Sequence, residues 1–173
     1  MSLPNLLTRQ FDRDWLFVLK NVFTKPQVND IRESANILYN IPEVKNSYMK
    51  FYETKNKDEC ILSRIENFVN NKNVIKLKGL LDVIVTPILE EVLEKCVNLF
   101  KDKINWKLSG GGAFKAHQDF GAWTDFPPNY YVTCVIFIDN CTLDNRCLEM
   151  VSAKHKDSIL KNTNGCLDDD VIE

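Results

Sequence analysis

Near residue 100 the spacing of apolar side chains changes from steps of three and four to steps of two. That change confines the chain to folds that keep helices and strands in separate stretches. Ahead of it, Val28, Ile31, Ala35 and Leu38 recur at helical spacing and line one stripe of a helix. Thr24, with Pro26 and Gln27 behind it, marks the start: the hydroxyl can accept from the Gln27 amide while the Gln27 side chain reaches back. Residues 74–85 read as a second helix that stops at Thr86-Pro87, a cap followed by proline. A third begins there and carries Ile88, Val92, Cys96 and Leu99 on one face. WLFVLKNV (residues 15–22) has the length and composition of a strand, and a short strand is expected at residues 48–52. About residues 1–100 are therefore mainly helical.

In the second stretch, residues 103–108 alternate. Ile104, Trp106 and Leu108 fall on one side, and Lys103, Asn105 and Lys107 on the other, as in a half-buried strand. Ser109, Gly110, Gly111 and Gly112 interrupt it, which calls for a tight turn with positive φ. Residues 113–119 then suit a second strand. YYVTCVIFI (residues 130–138) is a nearly unbroken apolar run of strand length, residues 139–146 are rich in turn formers, and residues 147–151 suit another short strand. The pattern predicts a single α+β domain over residues 1–173, with a mostly antiparallel sheet or barrel from about residue 101 onward. A chain of 173 residues can bury a core without covalent staples.

A formal net charge of -2 and dispersed lysines give no electrostatic case for nucleic acid or anionic membrane. No apolar run approaches the roughly 20 residues that span a bilayer. The first ten residues lack a basic-then-apolar leader pattern, so a cytoplasmic, reducing location is expected. Cys60, Cys96, Cys134, Cys141, Cys147 and Cys166 form no CxxC pair and read as free thiols.

The chain has two histidines, His117 and His155. In His117-Gln118-Asp119 an imidazole and a carboxylate stand two apart, which on a strand puts both on one face. Two such ligands and a third from elsewhere make the two-histidine, one-carboxylate face that suits iron(II) and leaves positions open for a bidentate oxo acid and dioxygen. The spacing alone is weak: with 24 acidic residues in 173, about one histidine in seven has an acid at that offset, and on the spacing alone a surface histidine–aspartate pair is the better explanation.

The surrounding sequence is more specific. KINWKLSGGGAFKAHQDFGAW (residues 103–123) closely resembles the strand, glycine turn and HQD of the phytanoyl-CoA dioxygenase-like family of iron(II)- and 2-oxoglutarate-dependent dioxygenases. VTCVIFIDNCTLDNRCLEMVSAKHK looks like the family's next strand, acidic turn and following element, and WLFVLKNVFTKPQVNDIRESA like its opening strand and helix. YMKFYE and LSRIENF look like its segment before the barrel. The resemblance implies a double-stranded β-helix (jelly-roll) core with N-terminal helices packed on the sheet. It implies iron(II) and 2-oxoglutarate as cofactors, His117 and Asp119 as catalytic iron ligands, and dioxygen with a small organic or lipid-like molecule as substrates. The expected reaction is hydroxylation with release of succinate and CO2. In similar halogenases a small residue replaces the carboxylate, so Asp119 favours hydroxylation.

By the same resemblance Asn105 and Lys107 either bind 2-oxoglutarate or form a solvated strand face. Gln118 points away from its neighbours on an ideal strand and is a lesser candidate for the co-substrate. Trp123 lines the cofactor pocket or fills the barrel; Phe120 suits packing, and Tyr130 and Tyr131 suit core or pocket mouth. His155 falls in SAKHK, where the family has a turn whose histidine is not normally a ligand. In similar proteins the distal histidine, and an arginine for the far carboxylate of 2-oxoglutarate, come later in the chain. NGCLDDDVIE looks like the acidic linker before those strands, so the jelly roll is expected to be incomplete at its C-terminal end. The alternative is a truncated or degenerate jelly-roll domain without catalysis, acting as a binding or scaffold module. Oligomeric state is not legible.

Overall fold

The structure, a computed structural model, describes residues 3–56, 59–119, 130–153 and 158–172. It is α+β with small antiparallel sheets. The chain divides into two compact units: Met1–Asp12 with Phe17–Gly112, and Arg13–Leu16 with Ala113–Glu173.

The first unit holds helix α1 (Leu3–Asp14, as far as Asp12), α2 (Lys25–Asn40), strands β1 (Met49–Asn56) and β2 (Glu59–Glu66), helices α3 (Ile75–Leu80) and α4 (Thr86–Leu93), and β3 (Lys103–Asn105). Helix α2 starts as its sequence dictates. The Thr24 amide donates to Gln27 Oε1 at 2.8 Å, and Pro26 occupies the first turn, where its missing N–H has no partner to lose. Ile31, Ser34, Ala35 and Leu38 are the buried face of α2, close to the expected stripe. They share the core with Tyr48, Leu62, Ile65, Phe68, Val69, Val74, Leu77 and Val92.

Thr86-Pro87 does not separate one helix from the next, contrary to the expectation from sequence. Residues 75–93 follow one helical path with a π-helical segment at Leu81–Val85, closed by the Thr86 amide on the Leu81 carbonyl. Proline at 87 removes a donor and crowds the carbonyl four residues back, and a widened turn just before it relieves that clash. Helix α4 then ends at Leu93, with Glu94 left-handed at φ 52°, so Cys96 and Leu99 lie beyond it.

The sheet order is β1-β2-β3, all antiparallel. Strand β2 is central: Ile65 faces Lys50 on one side and Ile104 on the other, and is fully buried. The Trp106 amide continues β3 by donating to the Ser63 carbonyl at 2.8 Å. Asp102 anchors the entry to β3, its carboxylate accepting from the amides of Phe68 (2.6 Å) and Val69 (3.1 Å). The buried Glu66 carboxylate lies 3.0 Å from Arg64 Nε and 3.0 Å from Lys101 Nζ. The Arg64 contact is close but misaligned, an ion pair rather than a hydrogen bond.

The second unit is mostly extended chain. It contains a 3₁₀ turn at Leu143–Asn145, the hairpin β4 (Asn162–Thr163) and β5 (Cys166–Leu167), and the short helix α5 (Asp169–Ile172). Asn164 and Gly165 close the hairpin with φ of 53° and 80°. That is the two-residue loop whose positive φ values Asn-Gly accommodates. The expected strands at residues 113–119, 130–138 and 147–151 carry no strand pairing among the described residues, and residues 15–22 form a loop. An apolar run becomes a strand only where another strand pairs with it in a ladder, and these runs join no ladder among the described residues. Val135, Phe137, Leu148, Met150 and Val151 are accordingly exposed. Among the described residues no helix is long and apolar enough to cross a membrane, and the six cysteines are unpaired.

Candidate metal centre

His117 and Asp119 lie on the extended segment that follows the glycine turn, held to the β4–β5 hairpin by the Leu167 amide donating to the Ala116 carbonyl at 2.8 Å. Although this segment is not a strand, the two side chains meet: His117 Nε2 is 3.3 Å from Asp119 Oδ1. Both are solvent-accessible. His117 Nδ1 is 2.7 Å from the Lys115 carbonyl oxygen, which can only accept, so Nδ1 carries the proton in the neutral ring. In that tautomer Nε2 carries the lone pair, the form in which an imidazole can ligate a metal. Asp119 Oδ2, the oxygen remote from His117, accepts from Thr133 Oγ1 at 2.9 Å.

This donor set fits a divalent cation. A ligating histidine typically gives its second N–H to a carbonyl or carboxylate, as His117 does. Two ligand atoms each about 2.1 Å from one ion and 3.3 Å apart would subtend about 104°, between the octahedral and tetrahedral angles, so the separation is one that a single cation can bridge. As a charge-assisted hydrogen bond the contact is long, such bonds lying near 2.7–2.9 Å. Among the described residues no group of three His, Cys, Asp or Glu side chains gathers, so the pair supplies two ligands and no third joins them there.

Comparison with known proteins agrees with the motif. The phytanoyl-CoA dioxygenase (PhyH) family profile matches residues 11–172. The chain belongs to this family. It is similar to the 2-aminoethylphosphonate dioxygenase of uncultured bacterium HF130_AEPn_1, at 31% identity over 83% of this chain and 55% of that protein. It is also similar to the methylphosphonate hydroxylase of Gimesia maris, at 42% identity over 40% of this chain and 26% of that protein. A dioxygenase of Epichloe uncinata is 33% identical over 45% of this chain and 30% of its own length. The chain thus spans about half or less of the length of these relatives. No solved structure matches it.

The remaining expected site residues of this phytanoyl-CoA dioxygenase family member fall in different places. Asn105 and Lys107 belong to the first unit, on the exposed side of the β3 line, and the Lys107 ammonium lies 3.5 Å from the Gly112 carbonyl. In the second unit the Gln118 amide is engaged by backbone. Its Oε1 accepts from the Leu160 amide at 2.7 Å, and its Nε2 donates to the Ser158 carbonyl at 3.4 Å. Tyr130 packs edge-on against Trp15, ring centroids 5.8 Å apart. Phe120, Trp123 and His155 lie outside the described residues.

The glycine turn is a built feature of the first unit. The Gly111 amide donates to the Leu108 carbonyl at 3.0 Å, with Gly110 at φ +86°, the third position of a type II turn. Glu53 of β1 accepts from the Gly112 amide at 2.8 Å. Sequence reasoning missed Thr133, whose signal was a lone hydroxyl in the apolar run YYVTCVIFI. The Lys115 carbonyl is backbone and leaves no mark in sequence.

Proposed function

We propose that this chain forms a portion of an iron(II)- and 2-oxoglutarate-dependent oxygenase that hydroxylates a small organic substrate. The observation that carries the reading is the 3.3 Å approach of His117 Nε2 and Asp119 Oδ1, each with its remote atom held by a hydrogen bond. When bound, iron and 2-oxoglutarate supply dioxygen activation: one oxygen atom goes to succinate as CO2 leaves, and the other to the substrate as hydroxyl. His117 and Asp119 hold the metal. By the family resemblance, Asn105, Lys107, Gln118 and Trp123 are the candidates for binding 2-oxoglutarate, Asn105 and Lys107 by offering an amide and an ammonium to its carboxylates. The family match runs through both units, which supports one dioxygenase-like domain with a jelly-roll core. We place the enzyme in the cytoplasm.

Two relatives are named for organophosphonates, so a short phosphonate is the first substrate to try, ahead of lipid-like acyl compounds. The test is calorimetric binding of Mn(II), a redox-stable probe for iron(II), followed by assay of iron-dependent succinate formation from 2-oxoglutarate. His117→Ala should abolish both. If the wild-type chain and His117→Ala bind the metal alike and neither makes succinate, the alternative of a non-catalytic module replaces the enzyme reading.

A further inference from the structure

A metal centre depends on the groups that aim its ligands as well as on the ligands themselves, and one such group here is a side chain 14 residues away in sequence. The two oxygens of Asp119 are treated differently. Oδ2 accepts from Thr133 Oγ1 at 2.9 Å, while Oδ1 faces His117 Nε2 at 3.3 Å. An aspartate on an accessible segment otherwise rotates freely about its last torsion, a broad two-fold well. Fixing one oxygen fixes the other. Threonine suits this task because branching at Cβ restricts its χ1, so the hydroxyl direction is set by backbone. Residues 130–138, which carry Thr133, enter no ladder among the described residues, so this bond is not a by-product of strand pairing. His117 is restrained in the same manner at Nδ1 by the Lys115 carbonyl. Each ligand is thus tied at the atom pointing away from its partner, and the two untied atoms converge.

We infer that Thr133 is the positioning residue of the metal centre, orienting Asp119 so that Oδ1 rather than Oδ2 meets the cation beside His117 Nε2. The inference rests on the metal-centre reading above and adds a residue to it. The bland account is an exposed Thr–Asp hydrogen bond contributing about 1 kcal/mol to folding and nothing to the site. The two accounts differ in what the metal feels. Partners behind a ligand typically change metal affinity by 10–100-fold when removed. With both residues solvent-exposed, the lower end of that range applies.

The experiment is Mn(II) titration of the full chain by calorimetry, with free Mn(II) counted by electron paramagnetic resonance. Wild type, Thr133→Val, Thr133→Ser and His117→Ala are compared at one pH, with circular dichroism melts alongside. Thr133→Val keeps the shape and removes the hydroxyl, and should weaken Mn(II) binding about ten-fold. Thr133→Ser keeps the hydroxyl and should recover affinity to within about three-fold of wild type, since only the χ1 restriction is lost. If Thr133→Val fails to fold, Thr133→Ser carries the test alone, and a ten-fold loss there overturns the inference. Wild-type affinity in a folded Thr133→Val also overturns it, while loss in His117→Ala leaves the metal centre standing. Wild type binding no better than His117→Ala removes the metal centre, and the inference with it.

Discussion

Three consecutive glycines invite the assumption that all matter alike, and the structure predicts that they do not. At Gly110 φ is +86°, where an L side chain costs about 1–2 kcal/mol. A Cβ there would also lie 2.8 Å from Lys55 Cε and 2.9 Å from Lys55 Cγ. Because Cγ is among the clashing atoms, the whole Lys55 side chain must turn to another rotamer and not just its tip, giving up a 3.5 Å surface contact with Glu59 worth at most about 1 kcal/mol. Against this, alanine restricts the unfolded chain and returns about 0.4–1 kcal/mol. The net expectation for Gly110→Ala is a loss of about 1–2 kcal/mol. At Gly112 the new Cβ would sit 3.6 Å from Glu53 Oε2, an ordinary contact, so Gly112→Ala should be neutral or gain up to about 0.5 kcal/mol. Gly111→Ala falls between, its Cβ 3.2 Å from the Leu108 carbonyl oxygen that accepts the turn's own hydrogen bond. Urea unfolding followed by tryptophan fluorescence reads the order from midpoints at constant m-value. Equal losses at positions 110 and 112, or none at 110, would refute the assignment of the positive-φ requirement to Gly110.

Two further outcomes are expected. Ile65→Ala removes a fully buried side chain from the central strand and should cost about 2–5 kcal/mol in the same assay, and a loss below about 1 kcal/mol would displace β2 from the core. The Asp168 carboxyl is held below the ordinary carboxylate range, first by the Thr163 hydroxyl at 2.8 Å and then by Lys161 at 3.1 Å. Its contribution to stability is therefore complete above the unfolded value of about 3.9 and is lost as pH falls through the lowered folded value. Thr163→Val should raise the Asp168 titration midpoint seen by carboxyl carbon NMR, and an unchanged midpoint would assign the effect to Lys161.

What sequence makes legible here is local. The capping of α2 by Thr24 and Gln27, its buried stripe, and the exposed alternation of Lys103, Asn105 and Lys107 are all decided within a few residues, and all are present. The meeting of His117 with Asp119 is expected from strand geometry and occurs on a segment that is not a strand, so the proximity holds for a different backbone reason. YYVTCVIFI has the composition of a strand, yet apolar content reports a preference for burial and says nothing of a partner's position. The hairpin at Asn164-Gly165 carries a local signal that the acidic residues behind it obscure, since they suggest a linker. Thr133 shows in sequence only as a lone hydroxyl in an apolar run, and its partner does not show at all, because only the path of the chain brings it to Asp119.

All the buried hydrophobic side chains among the described residues run from Ile31 to Val92, while the residues proposed for the metal centre run from His117 to Thr133. The buried core and the groups proposed for the chemistry therefore sit on different stretches of gene. If the proposed site is the working one, substitutions across residues 113–153 would change it without thinning the core, an arrangement in which changes of function carry little cost in stability.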